Sequence, residues 1–324
     1  MILGKAPFRI SFAGGGSDLK AFASRHYGAV VSTSINKFMY IMLHPYFHEK
    51  IRIKYSKLED VARIEDIRHP IVRECLKRLK VAKGIEIASI ADVPARSGLG
   101  SSSAFTVCLL QILYAHKGKS VSKGWLAEEA AKIEIDILKE PIGKQDQYAS
   151  SFGGLNFIRF NEDGTVDVEP LMLRPQTIET LEQHLLLFYI GRERRAARIL
   201  RCLTDRISNE ETFERLKKMV GYAEDLRAAL KKGQIGTLGE ILREGWLLKK
   251  SLAASITNPE IDDYYERALE AGAVGGKLLG AGAGGFFLFF CAPKRQNALR
   301  RALGLRELRL RFENDGSRII YADA

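Results

Sequence analysis

The sequence predicts an α+β protein of two domains, and three observations carry that expectation. Strand-like stretches come in clusters instead of alternating regularly with helices, which argues against a βαβ repeat. The chain has 324 residues, 46% of them hydrophobic and 27% charged, a globular composition long enough for about two cores. A polar, Pro-containing stretch at 170–180 separates the two clusters, so the expected units are residues 1–180 and 181–324.

Residues 6–12 alternate, with Phe8, Ile10 and Phe12 on one face and Arg9 and Ser11 on the other, a strand that runs into Gly14-Gly15-Gly16. Further strands are expected at 30–34, 40–43, 51–55 and 84–89. Residues 102–116 are apolar nearly all round, the pattern of a buried helix. A second helix is expected over 122–139, with Ser122 as its cap and Pro141 stopping it. After Gly153-Gly154 a strand at 155–160 leads to a turn at Asp163-Gly164, and 185–190 reads as a buried strand. Residues 196–252 are helical in pattern, with Gly221, Gly233, Gly236 and Gly239 marking breaks. A helix at 262–271 is closed by Gly272 in the left-handed conformation, and two apolar runs around 280–285 make a hairpin.

Composition removes several function classes. The net charge of +11 suits anionic partners, whether nucleotides, phosphorylated metabolites or nucleic acid. The basic residues are not interleaved with aromatics in any recognition pattern, so a nucleic-acid binder is not expected. The longest apolar runs, 284–292 and 185–190, fall well short of the roughly 20 residues of a membrane helix. Lys5 and Arg9 interrupt the first apolar stretch, which speaks against a signal peptide and for a cytoplasmic protein. Cys75, Cys108, Cys202 and Cys291 are widely spread and read as reduced thiols. His44 and His48 flank Pro45, which excludes a helical zinc site.

Three glycine-rich segments remain to be explained. The strongest, Pro94-Ala95-Arg96-Ser97-Gly98-Leu99-Gly100-Ser101-Ser102-Ser103-Ala104, opens the buried helix. Its glycines let backbone N–H groups turn inward at a helix N-terminus, a cradle for anions. Its hydroxyls suit phosphate oxygens or a hard cation such as Mg²⁺. A helix cap needs fewer glycines and serines than these. The second segment ends in Gly14-Gly15-Gly16-Ser17-Asp18, where Asp18 can accept from substrate hydroxyls; a strand-ending turn with Asp18 as a helix cap accounts for it equally well. In the third, Gly280, Gly282 and Gly285 match GxGxxG formally, yet a strand follows where a dinucleotide fold needs a helix. A GxxxxGK[ST] loop is absent, so nucleotide binding must use a different cradle.

In this order and spacing the three segments resemble the three motifs of the GHMP kinase superfamily, and residues 94–104 match its PxxxGLGSSxA loop completely. The strings APFRISFAGGGSDL, IGKQDQY and FGGLN are similar to the D-glycero-D-manno-heptose 7-phosphate kinase branch, and the likeness runs from residue 5 to about 290. It implies a ribosomal-S5-like N-terminal domain and a ferredoxin-like C-terminal domain with the active site between them. It also implies ATP bound at Pro94, Gly98, Leu99, Gly100, Ser101, Ser102 and Ser103, with Mg²⁺ held by Ser102 and Glu134. Asp146 and Arg9 fall to catalysis, and Gly15, Gly16, Asp18, Lys144, Arg194 and Gly282 to the acceptor. The reaction implied is transfer of the γ-phosphoryl of ATP to the anomeric hydroxyl of a heptose 7-phosphate. A fucokinase-like or galactokinase-like acceptor is the alternative, and a homodimer is left open. A nucleotide-binding regulator without activity would require losses at Asp146, Glu134 or Ser102, and all three positions are filled.

From the residues alone, Glu134 is indistinguishable from its neighbours Glu128, Glu129 and Asp136. Asp146, between two glutamines after a Gly-Lys pair, sits in a polar turn that suits a site, with Lys144 expected beside it as counter-ion. Arg192, Arg194, Arg195, Arg198 and Arg201 crowd a helix start, where Arg194, Arg198 and Arg201 share a face. A solvated surface explains such a run as readily as a phosphate site. The run Gly191-Arg192-Glu193-Arg194-Arg195-Ala196 is similar to the heptose kinase branch, although Ile190 stands where that branch usually has Thr.

Overall fold

The computed structural model describes residues 1–81, 83–191 and 196–323. The alternation at the start of the chain becomes β1 (Ile2–Ala13), with Phe8, Ile10 and Phe12 in the core. Arg9 and Ser11 on its other face are also buried, so both sides of this strand are covered. After a single helical turn, α1 (Lys20–Ala23), the chain enters β2 (Gly28–Pro45). Here the two strands expected at 30–34 and 40–43 are one strand of 18 residues. Half-exposed Asn36 and Lys37 interrupt the apolar pattern, but register shifts along β1 keep the ladder running past them. β3 (Ile51–Lys54), β4 (Leu58–Val61), α2 (Pro70–Leu79) and β5 (Ile85–Ala91) follow.

Helix α3 (Ser101–His116) is buried along most of its length, as its all-round apolar pattern requires. In α4 (Lys123–Ala131) the Ser122 hydroxyl accepts from Trp125 N at 3.2 Å. This helix widens into a π-helical turn over Lys132–Ile137, a local expansion often found at functional positions. Then come α5 (Gln145–Phe152), β6 (Leu155–Phe160) and β7 (Val166–Pro170). The first half of β2 pairs with β6 and the second half with β5, so one long strand carries both wings of an eight-stranded sheet.

Over α6 (Pro175–His184) the chain passes to a second, four-stranded sheet, which begins with β8 (Leu185–Gly191). Helices α7 (Ala196–Arg206), α8 (Glu210–Lys231), α9 (Gly236–Leu252) and α10 (Pro259–Glu270) lead to β9 (Ala273–Leu278) and β10 (Gly285–Cys291). Gly272 has φ +104°, the left-handed exit expected after α10. The hairpin around 280–285 is present as an antiparallel β9–β10 pair. Gly221 and Gly239 do not break helices: the breaks fall at Asn209, which caps α8, and near Gly233. A Cβ at Gly239 would lie 2.8 Å from Val274 Cγ1, so this glycine lets α9 press onto β9.

The chain closes with α11 (Gln296–Leu303), β11 (Arg306–Glu307) and β12 (Arg318–Ala322). The second sheet has the order β11-β8-β10-β9, but β12 leaves it and pairs antiparallel with β1 of the first. The expected contiguous unit 181–324 is therefore corrected: its last strand belongs to the N-terminal sheet, where it covers the otherwise open edge of β1.

Candidate active site

A pocket lies between the two sheets, lined by the end of β1, the 96–103 loop, the segment before α5, α7, the end of α9 and the β9–β10 turn. All three glycine-rich segments reach it.

The 94–104 segment forms the expected cradle. Gly98 and Gly100 have φ of +83° and +76°, and Gly100 occupies the cap position of α3 without any side chain bonding the helix's first N–H groups. Those donors stay open, as an anion site at a helix N-terminus requires. A Cβ at Gly100 would meet Asp146 Oδ2 at 3.2 Å, and one at Gly98 would meet Leu279 O at 2.7 Å. The second contact explains the third segment. Its glycines let the β9–β10 turn lie backbone to backbone on the cradle: a Cβ at Gly280 would come within 2.6 Å of Gly98 Cα, and one at Gly285 within 2.3 Å of Ser97 O. Gly282 lines the pocket, and a Cβ there would meet Ile256 O at 2.8 Å.

Arg9 and Asp146 meet at the floor. Arg9 Nε donates to Asp146 Oδ1 at 2.7 Å and Nη2 to Oδ2 at 2.9 Å, while Nη1 donates to Gly98 O at 2.7 Å. One guanidinium thus joins β1, the cradle and the first turn of α5, the bidentate geometry that only arginine provides. Asp18 lies beside them, accepting from Gln145 N at 3.2 Å, Gln145 Nε2 at 3.0 Å and Gly16 N at 3.1 Å. Burial, and secondarily the charge of Asp146, push its carboxyl above the usual range. A Cβ at Gly143 would sit 2.0 Å from Asp18 Oδ2, so that glycine makes room for the carboxylate.

Two of the neighbouring acids are buried, Glu129 and Glu134. Glu129 pairs with Arg78 and Lys132, and Glu134, on the π-helical turn, is the one that meets the cradle. It is fully buried and accepts from Ser102 Oγ at 2.6 Å and from Gln147 Nε2 at 2.7 Å. Burial raises its pKa to about 7, against the lowering effect of these hydrogen bonds. Among the described residues no group of three or more His, Cys, Asp or Glu side chains could hold a metal ion. One carboxylate and one hydroxyl beside an open helix N-terminus fit a cation whose remaining ligands are phosphate and water oxygens.

Lys144 does not accompany Asp146: its ammonium lies 3.0 Å from both Glu128 oxygens and 3.0 Å from Gly164 O. Residues two apart at a helix start point to different sides, so proximity in the chain misled here. Arg194, with Arg192 and Arg195, falls outside the described residues. The pocket also contains Ser11, Gln145, Lys249 and Lys277, which no sequence motif marks as site residues. A lone lysine among apolar strand residues was the available signal for Lys277. Lys249 carries none, because lysines on amphipathic helices are ordinarily solvated.

The chain matches the family models for the GHMP kinase N-terminal domain over residues 68–154 and the C-terminal domain over residues 226–307. It belongs to the GHMP kinases and is a phosphotransferase of that family. It is 29% identical to D-glycero-alpha-D-manno-heptose 7-phosphate kinase of Campylobacter jejuni, covering 92% of each chain. It is 30% identical to a galactokinase of Thermococcus kodakarensis over 60% of this chain and 61% of that one. A solved D-glycero-D-manno-heptose 1-phosphate kinase from Bacteriodes thetaiotaomicron superposes with a TM-score of 0.82 at 26% identity, covering 100% of both chains.

Proposed function

We propose that this kinase transfers the γ-phosphoryl of ATP to the anomeric hydroxyl of D-glycero-D-manno-heptose 7-phosphate, giving the 1,7-bisphosphate. The observation that carries the reading is the Arg9–Asp146 clamp, which stands between the phosphate cradle and the Gly14–Asp18 turn. A hydroxyl held by that turn shares the pocket with both Asp146 and the cradle. The 29% identity to a heptose 7-phosphate kinase over nearly the full chain supports this acceptor.

In this reading the N–H groups of the Gly98–Ser103 loop receive the nucleotide phosphates, next to Pro94 and Leu99. Ser102 and Glu134 hold Mg²⁺, which supplies charge neutralisation on the β- and γ-phosphates. Gly15, Gly16 and Asp18 bind the sugar hydroxyls, and Gly282 closes the pocket from the other domain. Asp146 orients the acceptor hydroxyl and takes its proton as the new P–O bond forms and the β–γ bridge breaks. Arg9 keeps the carboxylate in place. Arg194 contributes to the acceptor phosphate. Because its substrates are ATP and a phosphorylated sugar, the site of action is the cytoplasm; no helix among the described residues is long and apolar enough to cross a membrane.

A coupled ADP-release assay over sugars and sugar phosphates with Mg²⁺-ATP tests the proposal, with the heptose 7-phosphate expected as the best acceptor. The galactokinase similarity favours a second reading with an unphosphorylated sugar. A neutral hexose outperforming every sugar phosphate would establish it.

A further inference from the structure

Lys277 on β9 is 5% exposed, and its ammonium donates to Phe12 O at 3.2 Å. Lys249 reaches in from α9, donating to Leu278 O at 2.9 Å and Gly280 O at 2.6 Å. Both line the pocket. Among the described residues their hydrogen-bond acceptors are backbone carbonyls alone, with the Trp246 ring also 5.9 Å from the Lys249 ammonium, so two lysines share one pocket with no carboxylate bonded to either. The nearby acids are already engaged, Asp146 by Arg9 and Asp18 by Gln145 and Gly16.

An ammonium carries three donors. One carbonyl leaves Lys277 two free, and two carbonyls leave Lys249 one. Ser11 adds to them: its hydroxyl is buried, has no partner and belongs to a residue lining the same pocket. The apolar residues that also line the pocket, Ile199, Leu203, Leu252 and Ile256, offer no acceptor side chain. A buried charge without a counter-ion is strongly unfavourable, and a buried donor without an acceptor adds to the penalty. An anion entering this corner relieves both.

We propose that Lys249, Lys277 and Ser11 form a dianion subsite that takes the acceptor's own phosphate. The anchor of Lys277 favours the acceptor over the nucleotide, while Lys249, bonded to Gly280 O, lies nearer the cradle. Lys277 is anchored at Phe12, just before the Gly14–Asp18 turn assigned to the acceptor, whereas the nucleotide has its own donors at the start of α3. Electrostatics agree with the geometry: burial first, then the Arg9 charge, lower Lys277 to about 7, and burial, Lys277 and Arg9 hold Lys249 well below the ordinary lysine range. The subsite rests on the sugar-phosphate reading given above.

The test uses Lys277→Met and Lys249→Met in the full chain. Loss of a charge-assisted contact should raise KM for the sugar phosphate about 10–100-fold and leave KM for ATP unchanged. The preference of the wild type for phosphorylated over unphosphorylated heptose should collapse. With the α3 cradle saturated by Mg²⁺-ADP, inorganic phosphate should raise the unfolding temperature of the wild type and not that of either variant, a readout independent of turnover. An unchanged KM for sugar phosphate, or an equal rise in KM for ATP, would overturn the subsite. A wild type that phosphorylates no sugar phosphate would instead defeat the acceptor reading, and this shows before any variant is made.

Discussion

Arg9 holds Asp146 by two parallel hydrogen bonds, at 2.7 and 2.9 Å, across 137 residues of chain. Because its third contact is Gly98 O, the orientation of the carboxylate is coupled to the cradle. Asp146→Asn keeps the shape but cannot take a proton, so kcat should fall about 10²–10⁴-fold while ATP affinity changes little. Steady-state kinetics beside a calorimetric ATP titration checks this. A variant with nearly full kcat would make Asp146 structural.

Gly100→Val should remove nucleotide binding while the fold survives. A β-branched side chain at φ +76° is strained, and its first carbon already meets Asp146 Oδ2 at 3.2 Å. Calorimetry is expected to find no measurable ATP affinity, with the circular dichroism spectrum of the wild type preserved. Unchanged affinity would place the nucleotide elsewhere.

Gly143→Ala tests the room made for Asp18. An added Cβ would lie 2.0 Å from Asp18 Oδ2 and 2.6 Å from Asp18 O, backbone that cannot yield cheaply. The acceptor KM should rise at least about tenfold, as when a charged hydrogen bond is lost, with KM for ATP unaffected. Equal effects on both substrates would mean that the whole floor had moved.

The pH dependence follows from Lys277, which faces Arg9 on β1 and Lys249 on α9. Its folded pKa, about 7, lies below the unfolded value of 10.5. Between these values the unfolded chain binds more protons, so this group's contribution to stability rises with pH from about 7 upward and is flat at its least favourable below. An anion restores the charge. Sugar-phosphate binding at pH 8 should therefore take up protons, seen as a dependence of calorimetric heat on buffer ionisation, and affinity should weaken as pH climbs past 7. Lys277→Met should reduce the uptake, leaving the part due to Lys249.

The sequence by itself determined the elements whose pattern is local. The alternation of residues 6–12 produced β1, the all-round apolar run produced α3, and two glycines with three serines at its start produced the open helix N-terminus. Only the tertiary structure decided partners. Lys144, two residues from Asp146, pairs with Glu128, while Arg9 crosses the molecule to reach it. Lys277 finds Phe12 O across 265 residues, and β12 returns to β1 from the far end of the chain. Glu134 was one acid among four until folding buried it against Ser102 and paired the equally buried Glu129 with Arg78. The reason is physical: helix and strand patterns are written in neighbours three, four or two residues away, whereas a charge pairs with whatever folding brings within about 3 Å.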